Sequence, residues 1–258
     1  MNAILLAGGI PKPENPLYEY TRGKPKALLK IAGKPMIQWV LDALHRAKEV
    51  ENIILVSLSS EVKLTSSKPM VFVPDHISIF ENIRAGSMKV LEMNPNAHHV
   101  LIVSSDIPAI TAEMVDWLIQ KTMTTDHDIY YTVIKREVML DRFPNCGRTF
   151  VRLKDITLTG GNISVIRTFT TTGRDELFQR MADARKNPFK MASLFGYDTL
   201  LLVLLRALTL EKLEKKICAH IGLKGRAVLC PFAEVGMDVD NPLQLNIMEE
   251  HMASRKRS

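Results

Sequence analysis

Leu5-Leu6-Ala7-Gly8-Gly9 closes a first apolar run, and Gly23-Lys24-Pro25-Lys26 follows shortly after it. Glycines at the end of a strand let backbone N–H groups approach phosphate oxygens with no Cβ in the way, and a nearby lysine supplies positive charge. The pairing points to a nucleoside triphosphate as ligand, although two glycines after a strand also make plain turns. Asp106, in Val103-Ser104-Ser105-Asp106-Ile107-Pro108, ends a second apolar run, where a carboxylate is costly unless a cation or hydrogen bonds compensate. It reads as a metal ligand or as a turn residue ahead of the next helix. Asp238 and Asp240 alternate with Met237 and Val239, so in extended chain both carboxylates share one face. Asp240 also precedes Pro242, the pattern of a helix N-cap.

The elements that must position these residues alternate. Strands are expected over Asn2–Leu6, Asn52–Leu58, Pro69–Val73, His98–Ser104 and Asp128–Ile134. Helices are expected from Pro35 through Ala47, over Phe80–Met93, and over Thr111–Lys121 behind a threonine cap. This order predicts an α/β fold, a single three-layer domain over residues 1–258 with a mostly parallel central sheet. In such sheets ligands lie beyond the carboxyl ends of the strands. The alternation weakens from Lys135 to Ile166. Residues 135–230 are therefore expected to form an acceptor-side insertion with its helices, among them Asp175–Lys186 and Leu210–Ile221 with Gly222 as stop signal. Leu200–Leu205 is too short to cross a membrane and reads as a buried helix.

Ala3 to Gly9, Lys24-Pro25-Lys26-Ala27-Leu28-Leu29 and Ala32-Gly33-Lys34-Pro35-Met36-Ile37 resemble the opening of nucleotidyltransferases with a MobA-like NTP transferase domain. Ser105-Asp106-Ile107-Pro108 and Asp238-Val239-Asp240-Asn241-Pro242 resemble that family's two aspartate elements. The resemblance implies a Rossmann-like nucleotide-diphospho-sugar transferase fold of the GT-A type. It implies NTP binding by Leu6, Ala7, Gly8, Gly9, Lys26 and Ser105, with Lys26 and Asp106 catalytic. It also implies Mg²⁺ held by Asp106 and Asp240. The chain departs from the family by inserting Ile10 to Tyr20 after the glycines, so Lys12 and Arg22 are the candidates for the phosphate-binding cation usually found there, or are solvated loop charges. Asn82 and Gly86, in Asn82-Ile83-Arg84-Ala85-Gly86, are expected to face the base, Asn82 alternatively capping a helix. Arg148, Arg152 or Lys154 would meet an acceptor phosphate, or face water on a half-solvated strand; Gly160, Gly161 and Asn162 are placed near the acceptor by the close backbone approach that paired glycines permit.

The implied reaction moves a nucleoside monophosphate from an NTP to a small phosphorylated acceptor, with pyrophosphate leaving. A sugar transferase using a nucleotide-diphosphate sugar and a silent nucleotide sensor remain alternatives. A dehydrogenase is disfavoured because the first turn lacks G-x-G-x-x-G spacing. Composition agrees with an enzyme-sized core: 258 residues, 46% hydrophobic. The charge of +6 favours small anions and falls short of a nucleic-acid signature. Cys146, Cys218 and Cys230 offer neither a disulfide framework nor paired zinc spacing, and no signal peptide opens the chain, so a cytoplasmic protein with reduced thiols and no membrane partner is expected.

Overall fold

The computed structural model describes residues 1–76, 78–173 and 196–255. β1 (Asn2–Leu6), β4 (Ile53–Val56) and β6 (His99–Ser104) are short runs of aliphatic residues, buried almost throughout, as strands covered on both faces must be. Their alternate side chains feed two separate cores. Leu5, Leu55 and Val103 pack on one face with the helix Met36–Arg46, whereas Ile4, Ile54 and Ile102 pack on the other with Ile83 and Val90 of the helix Ile79–Met93.

The remaining strands are β2 (Lys30–Ile31), β3 (Lys34–Pro35), β5 (Met70–Val73), β7 (Ile129–Lys135), β8 (Val151–Arg152), β9 (Thr157–Arg167) and β10 (Gly225–Leu229). The main sheet has eight strands in the order β10-β7-β9-β6-β1-β4-β5, with β8 paired to β9. β1 pairs parallel with β4 and β6, β4 with β5 and β10 with β7, while β9 runs antiparallel to both β6 and β7. β2 and β3 form a separate antiparallel pair. The chain leaves β1 toward β4 and β5, then returns to the other side of β1 as β6. The crevice above β1 and β6 is therefore the topological switch point where open α/β sheets bind ligands.

The expected mostly parallel α/β domain is thus observed, with element ends adjusted by one or two residues. Thr111 caps the helix Ala112–Thr122 through the N–H of Met114 (3.4 Å), and Gly222 ends the helix Leu210–Ile221 in a left-handed conformation. The segment 135–230 is not set apart from the sheet, since it supplies both β9 and β10. Its alternation is weak because β9 carries Gly160, Gly161 and several hydroxyl residues in place of an aliphatic run. The expected helix at Asp175–Lys186 lies outside the described residues. The expectation of a buried helix at Leu200–Leu205 is corrected: the helix is Tyr197–Leu204, and Leu201, Leu204 and Leu205 are 56%, 79% and 67% exposed. Val203 packs against a small cluster around Val133 and Leu158, and Thr199 one turn earlier is buried.

Candidate active site

β1 ends at Leu6, whose carbonyl accepts the N–H of Ser105 (3.0 Å), so the glycine turn and the Asp106 loop leave adjacent strands side by side. Gly8 turns tightly over its neighbours. A Cβ there would lie 3.1 Å from Ser57 Oγ and 3.4 Å from Asp75 Oδ1. Gly9 has φ +106°, a backbone position that favours glycine. Its carbonyl accepts the N–H of Lys26 (3.0 Å), which bends the chain back and carries the lysine over the sheet.

The two aspartate loops are joined by main chain. Val239 N–H donates to the Asp106 carbonyl (3.0 Å), and Ser104 Oγ donates to Asp106 Oδ1 (2.5 Å). Asn241, not Asp240, caps the helix Pro242–Arg255 by accepting the N–H of Gln244 (3.1 Å), while Gln244 Oε1 accepts the Asp240 N–H (2.8 Å). This leaves the Asp240 carboxylate free of capping duty, just as Thr111 relieves Asp106. Lys26 Nζ donates to Asp106 Oδ2 and to Asp240 Oδ1, each at 2.6 Å. Burial acts to lower the lysine's pKa, but the two carboxylates outweigh it and hold the ammonium above its ordinary value. Two hard oxygen donors from separate loops thus face one cationic point. Among the described residues no group of three or more His, Cys, Asp or Glu side chains is arranged for a metal. A pair of carboxylates fits an ion that takes its remaining ligands from phosphate and water, as Mg²⁺ does.

A cavity of ≈ 530 Å³ opens above these groups. Of the expected nucleotide residues, Leu6, Gly8, Gly9, Lys26, Asn82 and Ser105 line it, together with Asp106, Asp240 and Asn162. Ala7 is fully buried behind the turn, and Lys12 and Arg22 are exposed and outside the lining. Arg22 ends the one-turn helix Tyr18–Thr21 in a left-handed conformation, φ 48°. Asn82 does not cap the helix Ile79–Met93, because Ser78 does so by accepting the N–H of Glu81 (3.2 Å). Instead Asn82 accepts the N–H of His76 (2.8 Å) and donates to Asp75 (3.0 Å), which fixes the loop after β5. Gly86 is away from the cavity, and a Cβ on it would meet Ile4 Cγ2 at 2.7 Å. It lets the helix lie close on β1.

Gly161 is likewise outside the cavity lining and is a packing glycine, its absent Cβ pointing at Thr132 Oγ1. Arg148 lies behind the lining. It bonds to Asp238 through Nη1 and to the Gly160 carbonyl through Nη2 (3.0 Å). Asp238, which does line the cavity, is pushed up to about 6 by burial, against the pull of Arg148. Arg152 and Lys154 are exposed.

Lining residues not anticipated from sequence are Asp75, His76, Ser78 and Ile79 from the segment after β5, Ile10, Pro11 and Asn15 from the loop after β1, and Ser104. Asp75 lies two residues beyond β5, so the strand-end rule that picked out Asp106 could have found it. Ser57, just beyond β4, has φ 77° and a buried hydroxyl with no hydrogen-bond partner among the described residues, beside the glycine turn.

Fold and site together define an α/β domain of the nucleotide-transferase type. The chain belongs to the family with a MobA-like NTP transferase domain, whose model matches residues 3–221. It is similar to a hypothetical transferase of known structure from Thermus thermophilus, 32% identical with a TM-score of 0.81, over 95% of this chain and 98% of that one. It is 29% identical over 100 residues to a probable molybdenum cofactor guanylyltransferase from Thermococcus sibiricus, covering 38% of this chain and 48% of the relative. Against the bifunctional protein GlmU of Caldanaerobacter subterraneus subsp. tengcongensis it is 26% identical over 136 residues, 49% of this chain and 26% of the relative. The match therefore spans about a quarter to a half of these curated relatives. The three cysteines are free, and no described helix is long and apolar enough to cross a membrane.

Proposed function

We propose that the protein transfers a nucleoside monophosphate from an NTP to a small phosphorylated acceptor and releases pyrophosphate. The observation that carries this reading is the convergence of Asp106, Asp240 and Lys26 at 2.6 Å contacts beside the Gly8-Gly9 turn, at the switch point of the sheet. The turn offers backbone N–H groups to the triphosphate, and Lys26, the single lysine or arginine in the described cavity wall, supplies the matching charge.

Asp106 and Asp240 would hold a divalent ion, for which Mg²⁺ is the choice. Held there, such an ion would supply charge neutralisation for the phosphates. Lys26 would meet the phosphate oxygens and steady charge on the departing pyrophosphate. An acceptor oxygen approaches from the Asn162 and Asp238 side, in line with the leaving group. An ionised phosphate acceptor requires no general base. Asp75, braced by Asn82, offers polar atoms to the base edge.

Melting temperature with CTP, GTP, UTP and ATP, with and without Mg²⁺, tests the binding step, because a ligand specific to the native state raises it. A metal-dependent rise with one NTP, followed by pyrophosphate release with that NTP in the presence of phosphorylated sugars or alcohols, supports transfer. Turnover of a nucleotide-diphosphate sugar without pyrophosphate release would replace it with the glycosyl-transfer reading.

A further inference from the structure

Ile10 and Ile79 are large apolar side chains left 61% and 38% exposed, and both line the candidate site. Single exposed aliphatic residues need no explanation. These two come from separate segments, the loop after β1 and the first turn of the helix Ile79–Met93, and open onto the same cavity. The rest of that cavity is predominantly polar, with four aspartates and Lys26.

An NTP has one strongly charged end and one flat end with two apolar faces. The charged end belongs over Gly8, Gly9, Lys26 and the Asp106–Asp240 pair. The flat end must then lie toward Asp75 and Asn82, whose polar groups suit a base edge but leave the faces of the ring to be covered. Ile79 shares its segment with that edge-reading pair, and Ile10 directly follows Gly9 of the phosphate turn. Aliphatic cover on the faces with polar groups at the edge is the ordinary composition of a nucleotide pocket.

We infer that Ile10 and Ile79 are nucleoside-binding residues that cover the base from two loops, and that the insertion beginning at Ile10 is part of the nucleotide site. This rests on the NTP-binding reading above. Cover by Ile10 also gives the insertion a role other than replacing a phosphate-binding cation, since Lys12 within it and Arg22 just after it lie outside the cavity lining.

The experiment compares Ile10→Ser and Ile79→Ser with wild type, measuring by calorimetry the affinity for the NTP that shifts melting most and, separately, for inorganic tripolyphosphate with Mg²⁺. Loss of this much apolar burial weakens NTP binding about tenfold in each variant. Tripolyphosphate affinity stays within about twofold, because it carries no base to cover. Equal NTP affinity in variants and wild type, or parallel losses for NTP and tripolyphosphate, would overturn the inference while leaving NTP binding intact. Wild-type protein that binds none of the four NTPs would overturn the transfer reading, and this inference with it.

Discussion

Val239 donates its backbone N–H to the carbonyl of Asp106 at 3.0 Å, which ties the two aspartate loops together before any side chain is considered. The side chains then close on Lys26 from both loops. Because the main chain sets their separation, substituting one carboxylate removes a charge without releasing its loop.

Asp106→Asn is accordingly expected to lower turnover by at least about a hundredfold, since positioned electrostatic groups contribute on that scale. Melting temperature should stay within a few degrees of wild type, with Lys26 still paired to Asp240. Pyrophosphate-release rates together with a melting curve check both halves, and a near-normal rate would remove the central claim.

Lys26 occupies oxygens of Asp106 and Asp240 that a divalent ion held as proposed would also need. Lys26→Met should therefore bind Mn²⁺ more tightly than wild type when no nucleotide is present, while losing affinity for NTP. Electron paramagnetic resonance of free Mn²⁺ reads the first effect and calorimetry the second. Weaker Mn²⁺ binding in the variant would show that the lysine is not the competing cation.

Gly86→Ala separates packing from base recognition. A Cβ 2.7 Å from Ile4 Cγ2 forces the helix or strand to shift, at a cost of about 1–3 kcal/mol. That lowers melting by several degrees in a chain of this size. The KM for NTP should change little, whereas a large KM effect at unchanged stability would return Gly86 to the site.

His251 packs edge-on against Phe143, and burial holds its pKa below the ordinary value of 6.5. The folded state thus favours the neutral ring. Its contribution is full above pH 6.5 and is lost as pH falls below 6.5 through the depressed folded value, because the unfolded chain takes up the proton first. Urea midpoints at pH 8 and pH 5.5 should show a smaller acid loss for His251→Gln than for wild type. An identical loss would assign the acid sensitivity to other groups, His99 among them, whose pKa burial also lowers.

Much of the site was legible because its chemistry lies at strand ends. Gly8, Gly9, Asp106 and Asp240 are each marked by a local change from an apolar run or by a short motif. Where two local readings competed, neighbours decided: Thr111 and Asn241 do the capping, which frees Asp106 and Asp240. Residues whose placement depends on topology were harder to read. Gly86 and Gly161 looked like ligand contacts but answer to Ile4 and Thr132, partners that only strand order brings near. Arg148 looked like an acceptor contact and instead holds Asp238, ninety residues away in sequence. Asp75 was overlooked although the strand before it was expected, because nothing local to it marks a site: it faces the cavity only through the strand order that sets β5 beside β4.

The position of Asp240 in the chain order has a consequence during synthesis. A ribosome can release β1 through β9 and allow much of the sheet to assemble while the second carboxylate is still in the exit tunnel. Nascent chains would then carry the glycine turn, Lys26 and Asp106 without the partner loop that Val239 fastens in place. Any transfer that needs both carboxylates should consequently wait until Asp240 has emerged, so chains stopped short of it would not consume nucleotide.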